Sequence, residues 1–215
     1  MINRQSYMEK LEAVQENVLR MGTLMEESVE KAIRALVDQD ENLAMKVIKD
    51  DDVIDDMEHE IEQQCMKIIA TEQPVARDLR VLFTAIKITT DLERMSDNAV
   101  NIAKIARNIG KEKHIKPLID IPQMAQLAVA MVRNAVDAYV KLDVEKAYEI
   151  ITRDKAVDDL NDQVFRELLT YMMQDPRNIT QAMYFIFVAK YLERIADHAT
   201  NISEWIIYIE KGEML

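Results

Sequence analysis

Acidic side chains recur along this 215-residue chain at the spacing of a helical turn. Glu93, Asp97 and Asn101 stand four apart, at about 0°, 40° and 80° around a helix of 3.6 residues per turn. Asp51, Asp55, Glu58 and Glu62 share a face about 60° wide, an acidic ridge four side chains long. Glu193, Asp197 and Asn201 repeat the first pattern. Asp154 and Asp158 repeat the start of the second, with Asn161 and Phe165 in place of its last two acids. Carboxylates at i and i+4 are about 5–6 Å apart and repel by a few tenths of a kcal/mol. A multivalent cation turns that repulsion into attraction, because each turn of helix contributes an oxygen ligand. Oxygen donors suit magnesium, manganese, calcium or iron better than they suit a structural zinc site of thiolates and imidazoles. Ridges converging from neighbouring helices could bridge more than one ion. The alternative is an ordinary solvated face, since Leu92, Met95, Ala99 and Ile102 lie opposite the acids of their segment.

Other reactive types are isolated. His59, His114 and His198 are scattered; His198 adjoins Asp197 and reads as a surface imidazole or a ligand to a neighbouring ion. Paired Glu-x-x-His elements, which a ferritin-like dinuclear centre requires, do not occur. Neither a glycine-rich phosphate loop nor a nucleophile elbow is present. Cys65, between Gln64 and Met66, is expected in or beside the core, and the methionines read as core filler. In QPVARDLR (73–80), Asp78 and Arg80 fall in the first turns of a helix, where a cap and a local ion pair are expected. No catalytic constellation is found, so the chain is not expected to be an enzyme.

Helices must position these acids. Only three glycines and four prolines interrupt the chain, and helix formers are abundant. Apolar periodicity predicts six long helices: 4–38, 41 to just before Pro74, 74–110, 123–142, 144–174 and 177–211. Pro74, Pro176, Gly110 and Gly212 supply the stops. The two halves repeat one another. Glu93, Asp97, Ala99, Asn101 and Ile102 recur as Glu193, Asp197, Ala199, Asn201 and Ile202 at one constant offset. Asp40, Asp51 and Asp55 recur as Asp143, Asp154 and Asp158 at a slightly larger one. The expected fold is all-α, with two tandem, sequence-related antiparallel three-helix bundles. Residues 1–110 form the first repeat, 118–215 the second, and 111–117 the connector, within the stretch GKEKHIKPLIDIP.

Charge and composition narrow the role. Twenty-seven basic residues against 39 acidic ones leave a net charge of −12, which argues against nucleic-acid or anionic-lipid binding. A lone cysteine permits no internal disulfide and fits a reducing cytoplasm. The opening MINRQSYMEKLEAV has no apolar signal core, and no uncharged stretch approaches the ~20 residues of a membrane span. Membrane association is therefore expected only through partners. Apolar residues near Tyr184–Phe187 are candidates for a subunit contact.

The stretches QPVARDLR (73–80), DLERMSDNAVNIAKI (91–105) and YLERIADHATNISEWIIYIEKG (191–212) are similar to those of the PhoU family, accessory proteins of bacterial phosphate transport. The resemblance spans nearly the whole chain, including its duplicated layout. It implies two three-helix bundles, commonly dimers, and multinuclear clusters of iron or zinc, with magnesium or manganese as alternatives. By position, the first cluster takes Asp51, Asp55, Glu93 and Asp97, and the second Asp154, Asp158, Glu193 and Asp197. Glu58, Glu62, Asn101 and Asn201 are additional ligand candidates. The resemblance further implies a cytoplasmic negative regulator of the phosphate-starvation response. Such a protein links the phosphate ABC transporter, through its ATPase subunit, to a sensor histidine kinase and restrains uptake. The second half has no counterpart of Asp78–Arg80 and a poorer fifth-helix ridge. The competing expectation is a carboxylate-bridged metal bundle with a redox or storage role.

Overall fold

A computed structural model describes residues 4–213; the expected outer bounds of the two repeats, residues 1 and 215, lie outside them. Seven α-helices run in order: α1 (Arg4–Asp38), α2 (Glu41–Asp50), α3 (Asp52–Glu72), α4 (Arg77–Ile109), α5 (Asp120–Lys141), α6 (Val144–Gln174) and α7 (Ile179–Lys211). A single 3₁₀ turn, Pro176–Asn178, precedes α7. No strand occurs among the described residues.

The ends of the first helix in each half are built alike. Gln39 and Leu142 take the left-handed conformation, with φ of 55° and 51°. The N–H groups of Asp40 and Asp143 then reach back to the carbonyls of Ala35 and Ala138 at 3.0 and 2.9 Å, a Schellman closure. The same aspartates start the next helix, their carboxylates accepting from the N–H groups of Leu43 and Lys146 at 3.0 Å. One residue pair thus ends one helix and begins another, at equivalent points of both halves.

Four expected boundaries move. Helix α4 begins at Arg77 rather than at Pro74, because Ala76, with φ of 49°, keeps the chain out of the helix until that point. The second predicted helix is interrupted at Asp51, which separates α2 from α3 although its backbone stays in the right-handed region. Its counterpart α6 runs unbroken through Asp154. Helix α5 starts at Asp120 rather than Gln123, since Pro122 sits in a first turn where its missing N–H costs nothing. The start of the last helix is tightened into the 3₁₀ turn.

Within the first half α1 packs on α2, α3 and α4; within the second, α5, α6 and α7 pack together. The halves join along α4 against α7 and α1 against α5, so one apolar core runs through both. Helix α4 is consequently buried on two sides. Along α1 and α5 the approach is close. A side chain at Gly22 would place its Cβ 3.1 Å from a methyl of Val136, so glycine lets the two helices pack closely here. Cys65 is buried in the core as expected, and burial raises its thiol pKa to about 12, leaving it inert. Phe185, placed by its sequence in an exposed contact, is instead wholly buried; of that stretch only Phe187 is largely exposed. The connector is strapped down by Gln181 of α7, which accepts from the N–H of Ile115 at 2.7 Å and donates to the carbonyl of Lys113 at 3.3 Å. No helix among the described residues is long and apolar enough to cross a membrane.

Candidate metal centre

Each acidic ridge lies along a groove between two helices, α3 with α4 and α6 with α7. The core-facing stripes decide this. Ile54, Met57 and Ile61 of α3 and Leu92, Met95 and Ala99 of α4 are buried, and this turns the acids of both helices outward along one seam. In α6 and α7 the same is done by Val157 and Val164 with Leu192, Ala196 and Ala199.

In the first groove Asp51, Asp55, Glu58, Glu93 and Asp97 act on one another. Partial burial raises the pKa of Asp51, Asp55 and Glu93, and the neighbouring carboxylates add to it: Asp97 on all three, Asp51 on Asp55, and Glu58 and Asp55 on Glu93. Asp51 is the most constrained member. Its Oδ1 accepts a 2.6 Å hydrogen bond from Ser96 Oγ, a side chain with no exposure at all, and that bond counters the rise. The charge of Glu62 is felt by His59 and Cys65. Asn101 and Asn201 make no hydrogen bond to the clustered acids among the described residues.

The second groove gathers Asp154, Asp158, Glu193 and Asp197. Burial and the charges of Asp158, Asp197 and Glu193 push Asp154 up to about 6. Burial and Glu193 also raise Asp158 and Asp197, while Lys190 opposes both rises. Lys190 pairs directly with Glu193. Most telling, Asp154 Oδ1 is buried without a hydrogen-bond partner among the described residues, a costly condition for a carboxylate oxygen.

These donor sets fit an oxygen-preferring cation on two counts: mutual repulsion among partly buried carboxylates, and an orphaned oxygen that a cation would satisfy. As the side chains stand, no group of three or more His, Cys, Asp or Glu among the described residues is drawn together closely enough to hold an ion. A cation would offset the repulsion among the carboxylates of a groove.

The histidines go to other tasks. His198 does not face the second groove. Its Nδ1 lies 2.8 Å from a carboxylate oxygen of Asp91, a buried residue of α4, and so ties α7 to α4. His59 is exposed, with Nδ1 2.9 Å from its own helix's Asp55 carbonyl. His114 stands edge-on to Phe185 with Nε2 buried and unpartnered, and burial lowers its pKa. Arg80 likewise departs from the expected local ion pair. Its Nε donates to the carbonyl of Ile209 at 2.8 Å, capping the negative end of α7 from the first half. The Asp78 carbonyl, meanwhile, accepts from the hydroxyl of Tyr7 at 3.3 Å. Ser96, Lys190 and the Asp91–His198 pair were not singled out by spacing. Laying the halves over each other would have flagged the first two, because Ser96 and Lys190 stand opposite Ala196 and Thr90.

Comparison with known proteins gives a consistent picture. The family model described as the PhoU domain matches twice, over residues 18–106 and 121–206. The phosphate-specific transport system accessory protein PhoU homolog of Clostridium acetobutylicum is 43% identical over 215 residues, covering 100% of this chain and 98% of that protein. The homolog of Aquifex aeolicus is 44% identical, covering 96% of this chain and 93% of its own length. Among solved structures, PhoU from Pseudomonas aeruginosa superposes with a TM-score of 0.91 at 37% identity, over 96% of this chain and 100% of that one. The phosphate transport system regulatory protein PhoU from Streptococcus pneumoniae gives a TM-score of 0.90 at 27% identity, over 97% and 99%.

Proposed function

The chain belongs to the PhoU family, and from that premise we propose that it is an accessory, regulatory protein of phosphate-specific transport. The observation that carries the reading is agreement over essentially the full length, in sequence and in shape, with proteins named for that role. The protein is not an enzyme; its relatives are named as accessory and regulatory proteins. We take residues 1–110 and 118–215 as its two repeats, joined by 111–117.

In this reading the protein is a cytoplasmic adaptor and homodimer. It docks on the ATPase subunit of a phosphate ABC transporter and on a sensor histidine kinase, and keeps the starvation response silent while phosphate is plentiful. Asp51, Asp55, Glu93 and Asp97 hold one metal centre, with Glu58 beside them; Asp154, Asp158, Glu193 and Asp197 hold the other. Iron or zinc is the expected occupant, and magnesium or manganese the alternative. A bound cation supplies positive charge that cancels the repulsion along each groove. The chain's own part is to hold α3 against α4, and α6 against α7, so that the acids share one patch of surface. Such a patch is rigid when neutralised and strained when bare, a sound basis for a docking surface that responds to conditions.

Deleting the gene in its host should switch phosphate-starvation genes on in high phosphate, and a plasmid copy should silence them again. Unaltered repression in the deletion strain would refute the regulatory reading. The redox or storage alternative needs metals inside a bundle with imidazole ligands. No observation favours it here, since His198 is committed to Asp91 and His59 to its own helix.

A further inference from the structure

The two acidic grooves are related by duplication, yet a buried hydroxyl is present in one and missing from the other. Ser96 of α4 donates from Oγ to Asp51 Oδ1 at 2.6 Å, across the seam between α4 and the break separating α2 from α3. Ser96 has no solvent exposure, so its hydroxyl has no water to turn to. At the equivalent place in α7 stands Ala196, also without exposure and unable to donate. In that half Asp154 Oδ1 is buried with no hydrogen-bond partner among the described residues. The same carboxylate is therefore anchored in one half and orphaned in the other.

We propose that Ser96 is a positioning residue that presets Asp51 for cation binding, making the first groove the tighter of two non-equivalent sites. This rests on the reading of the grooves as metal centres. With Oδ1 held by the hydroxyl, the orientation of Asp51 is fixed before an ion arrives, and Oδ2 remains as the ligand oxygen. Partners of this kind, which orient a ligand without touching the metal, typically change affinity 10- to 100-fold when removed. In the second groove Asp154 must be oriented by the ion itself, and Lys190 already occupies Glu193. Both differences weaken the second site. The first groove also keeps Glu58 where the second has Asn161.

The test measures ions bound to the full-length protein, not signalling. Equilibrium dialysis against Zn²⁺, Mn²⁺ and, anaerobically, Fe²⁺, with elemental analysis, is done with each groove silenced in turn. With the second silenced by E193Q/D197N, S96A should weaken binding by about tenfold or more, and S96T should restore most of it. With the first silenced by E93Q/D97N, A196S should tighten binding. An S96A protein that keeps its ion affinity while losing only its resistance to urea would overturn the inference, because the hydroxyl would then serve packing alone. So would an A196S protein that binds no more tightly; this arm decides the matter if S96A does not fold. If the unmodified chain takes up none of the three ions, the metal reading falls and the inference with it. If it takes them up and both serine exchanges are silent, only the inference falls.

Discussion

The two halves of this molecule share the end of their first helix, the start of the next and the direction of their acidic ridges, but not the contents of their cores or grooves. Leu36 and Ala85 in the first half correspond to Tyr139 and Phe185 in the second, all four fully or almost fully buried. Asp51 is anchored at a helix break, whereas Asp154 is orphaned within an unbroken helix. What duplication has preserved is the part set by backbone geometry. What has diverged is the part set by which side chain meets which, and that is where the two grooves acquire different chemistry.

The core difference gives the largest expected effect. Phe185→Ala should cost about 3–5 kcal/mol, since nothing nearby is free to fill the space. Placing alanine there copies the residue at Ala85 without copying its neighbours, so chemical denaturation should separate residue identity from environment. A loss below ~1 kcal/mol would mean that the second core relaxes as readily as the first.

Next in size is the seam between the halves. Asp91→Ala removes the partner of His198 at a buried site and should cost about 1–3 kcal/mol. Hydrogen exchange should show α7 loosening along its contact with α4, with α3 unaffected. Uniform loosening of both halves would show that they do not behave as separable units.

The grooves should then reveal themselves through pH. The folded pKa of Asp154, about 6, lies above its ordinary 3.8. Between those values this carboxyl holds its proton more tightly in the folded protein than in the unfolded chain, so its contribution to metal-free stability is lost as pH rises from about 4 to about 6. Asp51 contributes in the same direction, but Ser96 counteracts the effect. Urea unfolding in chelator should therefore show D154N flattening this slope more than D51N does. Equal flattening would erase the distinction between the grooves. Restoring a divalent cation should return stability at pH 7, because the ion replaces the proton as the neutralising charge.

The smallest effect is expected at Asn201, which is exposed and makes no hydrogen bond to the clustered acids among the described residues. Its change to alanine should stay within about ±0.5 kcal/mol in stability and leave ion uptake unchanged. A clear loss of bound metal would return it to the ligand set.

Much of this was legible beforehand because helical periodicity is a local property. Leu92, Met95, Ala99 and Ile102 name their buried face from spacing alone, and the acids opposite them follow. The repeat, the paired Asp40 and Asp143 starts and the stops at Gly110 and Gly212 are equally local. Spacing places Asp51 on the ridge but does not mark it as a helix break. The local signal for it is composition: Asp50, Asp51, Asp52 and Val53 stand where the unbroken α6 has the better helix formers Arg153, Lys155 and Ala156 around Asp154. His198 was assigned by its chain neighbour, Asp197, when its real partner stands 107 positions away.

The sequence by itself determined the class of fold, the duplication and the two acidic faces, because each depends on residues within a few turns of one another. Only the tertiary structure decided that Ser96 meets Asp51, that Asp154 Oδ1 has no hydrogen-bond partner among the described residues, that Asp91 holds His198 and that Arg80 caps α7. Those pairings depend on the rotation and register of one helix against another. That arrangement is set by the summed packing of the shared core and leaves no periodic trace in the chain.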